Sequence, residues 1–307
     1  MRGPSEPSVR ARLSPERGRP ALELDVALAA VRAETGVDLG RAVARAGFAR
    51  GHLLDVVIRL PGARGTDAEE DAAERLVTSL LGEALADDWL DQVTLEPAPH
   101  GGALSVLQSV PEQGSYFPLE ELPAAVGAAV RGLYAGLPAE PLWASGGEQR
   151  WTLLELDVDR SDDYARQADV ALCATFLPEM LKCYLSGSPF ASLRFSRHGE
   201  VFAYLKHESA GGDAREVLAA RRVLEDALDA ALVVERCGRV VGSGMGVVYS
   251  YVDFALVSLE GALDVIRTVA SRVGLPPRSW LLFCDSTLAD DWAAVHPAAP
   301  LPPGQRP

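Results

Sequence analysis

The feature that most constrains the fold of this chain is an alternation of secondary-structure signals between Val201 and Asp285. Apolar runs of strand length and runs of helical periodicity follow one another as strand, helix, strand, strand, helix, strand. The second helix has the clearest signals. Ser258 is a good N-cap, apolar residues then recur at the helical interval, and Gly274 predicts the end of the helix.

This order predicts an α+β fold whose C-terminal domain is ferredoxin-like, with a split βαβ unit, an antiparallel sheet and helices on one face. The N-terminal domain is expected to be a related α+β unit. There, a buried strand at His52–Leu60 precedes a helix that opens with the capping-box pair Thr66 and Glu69, and Asp38–Ala46 is expected to form a short helix. A fold of this kind hosts many functions, so it predicts no reaction.

The length of 307 residues suits two domains of ordinary size. Residues 136–149 are rich in Gly, Pro and polar residues, which predicts the domain boundary. The strand expected at Trp151–Val158 fits either domain. The expected division is a disordered tail (1–20), an N-terminal α+β domain (21–145), a C-terminal ferredoxin-like domain (150–296) and a loose Pro-rich tail (297–307).

The chain is acidic, with a formal net charge of −14. This charge argues against duplex nucleic acid as a partner, because phosphates need a basic surface, and it favours a basic protein partner. No stretch approaches the roughly 18 apolar residues needed to cross a bilayer. The N-terminal region has no secretory hydrophobic segment, so we expect a cytoplasmic protein without a membrane partner.

The four cysteines show no pattern of a reactive or metal-binding site. They form no CxxC pair and no zinc-ligand spacing with the five histidines, so we expect reduced, buried thiols, with no metal and no cofactor. Cys284 ends a predicted strand, but the sequence offers no base beside it, and no catalytic residue is predicted. The cysteines are Cys173, Cys183, Cys237 and Cys284.

A glycine-rich segment containing Gly242, Gly244 and Gly246 lies between two predicted strands. It lacks the spacing and the following helix of a dinucleotide-binding motif. We expect a hairpin loop, which is either a plain glycine turn or a loop whose exposed backbone amides face a ligand.

Tyr249, Tyr251 and Asp253 follow at alternate positions and therefore share one face of a strand. If that face is exposed, they form a recognition surface; if it is covered, they belong to the core. Arg194 and His198 lie in or beside a second predicted hairpin, formed by Ser192–Phe195 and a strand that begins at Val201.

Two hypotheses of function follow. The first is a non-catalytic protein that binds a macromolecular partner, for example an inhibitor or immunity-type protein, supported by the acidity and by the Tyr-rich strand. The alternative is a small-molecule-binding protein or enzyme that uses the loop 242–246, with Arg194, His198 and Asp253 converging on it.

Overall fold

The computed structural model describes residues 18–97, 115–146, 149–209 and 214–305. Residues 1–17 of the expected N-terminal tail lie outside this part of the chain. The fold is α+β, and the chain divides into two compact units, between Gly136 and Leu137. Across the described residues, we find no helix with the length and hydropathy of a membrane span.

The N-terminal unit contains a four-stranded mixed sheet in the order β3-β2-β1-β4. Strands β2 and β3 are parallel, whereas β1 is antiparallel to both β2 and β4. Helix α1 packs against α2, α2 against β3, and α4 against β1. The helices are α1 (Leu24–Thr35), α2 (Asp67–Leu81), α3 (Glu83–Trp89) and α4 (Leu122–Gly136), and the strands are β1 (Val43–Phe48), β2 (Leu54–Leu60), β3 (Leu90–Pro97) and β4 (Phe117–Pro118).

One local prediction in this unit is confirmed and another is wrong. The capping box forms, because the backbone N–H of Thr66 donates to Glu69 Oε2 at 3.0 Å and that of Glu69 donates to Thr66 Oγ1 at 3.4 Å. The helix expected at Asp38–Ala46 is absent. Asp38 instead accepts a hydrogen bond from the backbone N–H of Gly40 at 3.0 Å, which makes a turn, and strand β1 begins at Val43.

The C-terminal unit contains a seven-stranded antiparallel sheet in the order β11-β10-β7-β9-β8-β6-β5. Strand β5 pairs with β6, so the strand expected at Trp151–Val158 belongs to this unit. The strands are β5 (Thr152–Glu155), β6 (Val170–Thr175), β7 (Val201–Glu208), β8 (Gly238–Gly246), β9 (Tyr249–Leu256), β10 (Ser279–Phe283) and β11 (Trp292–Ala294), and the helices are α5 (Pro178–Ser186), α6 (Ala214–Val234) and α7 (Leu259–Val273).

Two expected boundaries need correction. Residues 137–145 were expected in the N-terminal domain, but they belong to the C-terminal unit, where the backbone N–H of Leu142 donates to Glu200 Oε1 at 2.7 Å. The Pro-rich C-terminal segment was expected to be loose. Its described residues are held in place, since Trp280 Nε1 donates to the carbonyl of Pro300 at 2.6 Å and Gln305 Nε2 donates to that of Ala289 at 3.0 Å.

The seven-stranded sheet is covered on both faces. Helices α6 and α7 cover one face, where buried leucines such as Leu228 and Leu281 pack with Ile266 and Phe254. Helix α7 ends as predicted, with Gly274 in the left-handed region at φ 72°. Successive side chains of a strand point to opposite faces of the sheet. The strand residues that point away from α6 and α7 contact a second layer, which is formed by α5 and the segments around it.

The hairpin expected at Ser192–Phe195 is wrong, because Ser192–Arg194 forms a 3-10 turn. The carboxylate of Asp285 accepts the backbone N–H of Ser192 at 2.7 Å and also its hydroxyl. The hydroxyl oxygen of Ser192 in turn accepts the backbone N–H of Phe202 at 2.8 Å. These side-chain bonds take the place of a strand ladder.

Candidate functional site

A cavity of about 410 Å³ lies in the C-terminal unit, on the sheet face opposite α6 and α7. Its floor is built by the strands, and its walls by α5, the segment that follows α5 and the segment that precedes β6. The floor residues that carry the argument are Cys173, Tyr204, Gly244, Asp253 and Cys284, and the wall residues are Arg166, Gln167, Met180, Cys183, Tyr184 and Phe190.

The glycine segment is part of a strand, not a hairpin loop as expected, and Gly244 lies in the cavity floor. Strand β8 continues to Gly246, and the chain turns at Val247 and Val248. The turn is fixed by Asp169, whose carboxylate accepts the backbone N–H groups of Val248 at 2.8 Å and Tyr249 at 2.9 Å.

The position of the Asp253 carboxylate favours glycine at residue 242. A Cβ atom at position 242 would lie 2.5 Å from Asp253 Oδ2, so the carboxylate would have to move to admit any side chain there. A Cβ at Gly244 would lie 3.4 Å from Tyr251 Cβ, in ordinary contact, and a longer side chain there would enter the cavity. The glycines therefore make room for a carboxylate and for the cavity.

Asp253 is the acidic group on the floor. Its Oδ1 accepts a hydrogen bond from Gln167 Nε2 at 3.1 Å. Burial raises the pKa of Asp253 to about 7, from an ordinary value of 3.8. Near neutral pH this carboxyl group can therefore accept hydrogen bonds or, when protonated, donate one.

Tyr204 supplies a second polar group. The residue is only 3 % exposed, and burial raises the pKa of its hydroxyl, which stays protonated. The other groups that act on this pKa, including Cys284, Arg166 and Asp253, line the same cavity. None of the described residues forms a hydrogen bond with the Tyr204 hydroxyl. This hydroxyl is a donor and an acceptor on a residue that lines the cavity.

The wall formed by residues 166–169 is held by tyrosines. Tyr184 donates its hydroxyl to the carbonyl of Gln167 at 2.8 Å. Tyr251 donates to the carbonyl of Arg166 at 3.1 Å and also contacts the carboxylate of Asp169. Because these bonds join the wall to α5 and to β9, the cavity is preformed.

Of the two interpretations of the Tyr249, Tyr251 and Asp253 face, the covered one is correct. Both tyrosines are fully buried, and Asp253 alone of the three lines the cavity. Tyr249 donates its hydroxyl to Asp163 Oδ1 at 2.7 Å. The ammonium of Lys206 lies 4.0 Å from the centre of the Tyr249 ring, and burial lowers the pKa of this lysine to about 8.

Arg194 and His198 do not converge on the cavity. Arg194 is fully buried and donates to the carbonyl of Pro189. Nε2 of His198 lies 3.2 Å from the carbonyl oxygen of Pro138, and neither residue is among those that line the cavity. Of the residues that the small-molecule hypothesis names, Asp253 and Gly244 line the cavity.

The cavity thiols are poor nucleophiles. Burial raises the pKa of Cys173 to about 11 and also raises that of Cys284, and the nearby carboxylate of Asp253 adds to both shifts. Thiols of this kind stay protonated near neutral pH and act as apolar surface. Within the described residues, no three His, Cys, Asp or Glu side chains are placed to hold a metal ion together.

Sequence reasoning missed Tyr204, Gln167 and Cys173 as members of a site. For Tyr204 a signal was available. In the apolar strand β7, Tyr204 and Lys206 are polar at alternate positions, which places both on the face away from α6 and α7. Gln167 and Cys173 carry no comparable signal, because their roles depend on long-range pairing.

The comparisons with known proteins give no indication of function. The chain matches no family model, no curated protein and no solved structure.

Proposed function

We propose that the C-terminal unit binds a small molecule with a mostly apolar body in the cavity above β6–β10. The observation that carries this proposal is the composition of the floor. Asp253 and the Tyr204 hydroxyl are polar groups set among apolar walls, and one of them has no hydrogen-bond partner among the described residues. Ligand sites in proteins typically combine apolar walls with a few placed polar groups, in volumes of roughly 300–1,000 Å³.

The contacts on the wall favour a body of aromatic or branched apolar groups. Met180 and Cys183 of α5 contribute soft, adaptable surface, and Phe190 and Tyr184 contribute aromatic surface. Gly244 and Asp253 enter this proposal as floor residues, and Gly242 as the residue beside the Asp253 carboxylate.

Naphthylmethanol is a suitable neutral probe for the proposal, and NMR of methyl-labelled methionine reports on the site. The chain has three methionines. Met180 lines the cavity, whereas Met245 does not. We expect saturable binding with a Kd in the millimolar range or below, with a shift of the Met180 methyl signal and an unchanged Met245 signal.

A variant that fills the cavity gives the matching control. Gly244→Leu places a side chain on the floor and is expected to abolish the Met180 shift. Gly132→Leu makes the same chemical change in the N-terminal unit, where a Cβ meets nothing within 4 Å, and should leave binding intact. Equal shifts at Met180 and Met245, or no saturable binding, would contradict the proposal.

Binding of a basic macromolecular partner is the second candidate, and the net charge of −14 supports it. The Tyr pair expected to form its surface is buried, so charge is what this candidate now rests on. A partner steered by charge associates more slowly at high salt, and an association rate that does not change with salt would contradict this candidate.

For the fold, we propose the ferredoxin-like arrangement for β7 to β10 with α6 and α7. The strand order β10-β7-β9-β8, the antiparallel pairing and the two helices on one face support it. Strands β6 and β5 then extend this core at one edge, and β11 extends it at the other.

A further inference from the structure

The floor of the cavity holds a carboxyl group without a counter-charge. Oδ1 of Asp253 accepts from the neutral amide of Gln167, and Oδ2 lies against Gly242, where no side chain is present. Among the described residues, no Lys, Arg or His forms an ion pair with Asp253. A carboxylate in this position is unfavourable to ionise, because it is desolvated and no cation offsets the loss of water.

A ligand that enters the cavity can therefore supply the positive counter-charge that the protein does not give to Asp253. Asp253 and Tyr204 both line the floor, where the carboxylate accepts hydrogen bonds and the hydroxyl accepts and donates them. An ammonium group can interact with both residues, because it has several N–H donors and carries the positive charge that would offset the carboxylate of Asp253. The rings of Tyr204 and Tyr184 line the same space, and aromatic rings attract cations.

Three charged side chains line the cavity or act on Asp253: Arg166, Arg221 and Glu225. Arg166 lines the cavity and opposes a cation, but its side chain is exposed, where water screens its charge. The carboxylate of Glu225 and the guanidinium of Arg221, which act on Asp253 from α6, pair with each other at 2.6 Å. The protein as a whole is strongly acidic, at −14. The balance favours a cation.

We propose that the ligand of this cavity is an organic amine whose ammonium group pairs with Asp253 and whose apolar part packs against α5. This inference rests on the proposed function and specifies its ligand. An anionic ligand is disfavoured because it would place like charge beside Asp253. A neutral alcohol forms hydrogen bonds to the same groups but leaves the carboxyl without a counter-charge.

Three probes with the same ring system separate these cases: naphthylmethylamine, naphthylmethanol and naphthoate. Each is titrated into the full-length protein at pH 8, with the Met180 methyl signal locating the binding. We expect the amine to bind about tenfold or more tightly than the alcohol, and naphthoate to bind more weakly than the alcohol.

Asp253→Asn tests the residue, because an amide keeps the shape and removes the charge. It should reduce the preference for the amine over the alcohol to about twofold or less. Asp264→Asn removes the same charge from an exposed position of α7, where the side chain is 83 % accessible, and should leave the preference unchanged.

The outcomes distinguish failure of the amine inference from failure of the proposed function. If the three probes bind with similar affinity and all shift Met180, the amine inference is wrong and the proposed function stands. If the preference for the amine survives Asp253→Asn, the inference is also wrong. If no probe binds at the site, the proposed function itself fails. The selectivity of the unaltered protein is informative even if the variant folds poorly.

Discussion

The two faces of the seven-stranded sheet have different chemistry. The face below α6 and α7 is packed with Leu, Ile, Val and Phe side chains, of which Leu228 and Ile266 are fully buried. The opposite face carries Tyr204, Lys206 and Asp253, together with a cavity. The same strands build both faces, because successive side chains point to opposite sides.

The two faces therefore differ in what they contribute to stability and to function. Burial of apolar side chains stabilises the fold by roughly 25 cal/mol per Å², and the α6 and α7 face has this composition. Buried charges contribute little or destabilise, since their desolvation offsets their interactions. Asp253 and Lys206 both have pKa values shifted against their charged forms by burial. A chain selected for stability alone would not keep them, so the cavity face is where function is to be sought.

Leu228→Ala should have the largest effect on stability. Leu228 is fully buried between α6 and the sheet, and its truncation leaves a cavity in the apolar core. We expect the free energy of unfolding of the C-terminal unit to fall by about 2–5 kcal/mol, measured by urea denaturation.

The control is Val234→Ala at the end of the same helix, where the side chain is 76 % exposed and little change is expected. Equal losses in the two variants would show that the α6 face is not the main source of stability.

Asp253→Asn should have the next largest effect on the free energy of unfolding. At high pH it should stabilise the protein, whereas Leu228→Ala destabilises it. The folded-state pKa is about 7 and the ordinary value is 3.8, so the folded state binds more protons between these values. The unaltered protein therefore loses stability as the pH rises through this window, and the variant does not.

At pH 8 we expect the Asp253→Asn variant to be more stable by about 2–4 kcal/mol, and at pH 4 to differ little. Thermal unfolding across this pH range measures the difference. A variant that is less stable than the unaltered protein at pH 8 would show that the carboxylate is stabilised in the fold.

Lys206→Met tests the other buried charge on the cavity face. The pKa of Lys206 is lowered to about 8 from 10.5, so the unfolded state binds more protons between these values and stability rises with pH. Between pH 8 and 10, the unaltered protein should gain about 2 kcal/mol relative to Lys206→Met.

The chain has one other lysine, Lys182, whose half-exposed side chain pairs with Glu179 at 2.5 Å. Lys182→Met should show no such pH dependence relative to the unaltered protein. The same gain in both variants would assign the effect to groups other than Lys206.

The apolar face could be predicted from the sequence more fully than the cavity face. The Ser258 cap, the periodicity of α7 and the stop at Gly274 are local signals, and each is realised. The glycines of β8 gave a misleading signal. They were expected to turn the chain, whereas the turn follows them at Val247 and Val248 and is fixed by Asp169, far away in the sequence, which accepts the backbone N–H groups of Val248 and Tyr249.

The site also depended on contacts that local patterns do not encode. Asp253 was a candidate, but the expected partners Arg194 and His198 are held elsewhere by Pro189 and Pro138. Its real partner, Gln167, is 86 positions away and comes close through the pairing of β6 with β8. Such side-chain groupings follow from sheet register, which a single sequence does not specify.

The smallest effects are expected from two tyrosines that share the cavity face. The hydroxyl of Tyr251 lies within hydrogen-bond distance of both Asp169 and the carbonyl of Arg166, whereas no described residue forms a hydrogen bond with the hydroxyl of Tyr204. Tyr251→Phe should therefore cost about 1 kcal/mol of stability, and Tyr204→Phe should cost close to none. Urea denaturation of the two variants measures this contrast. If Tyr204→Phe were as costly as Tyr251→Phe, the Tyr204 hydroxyl would have a role in the fold, and only Asp253 would remain available to a ligand on the cavity floor.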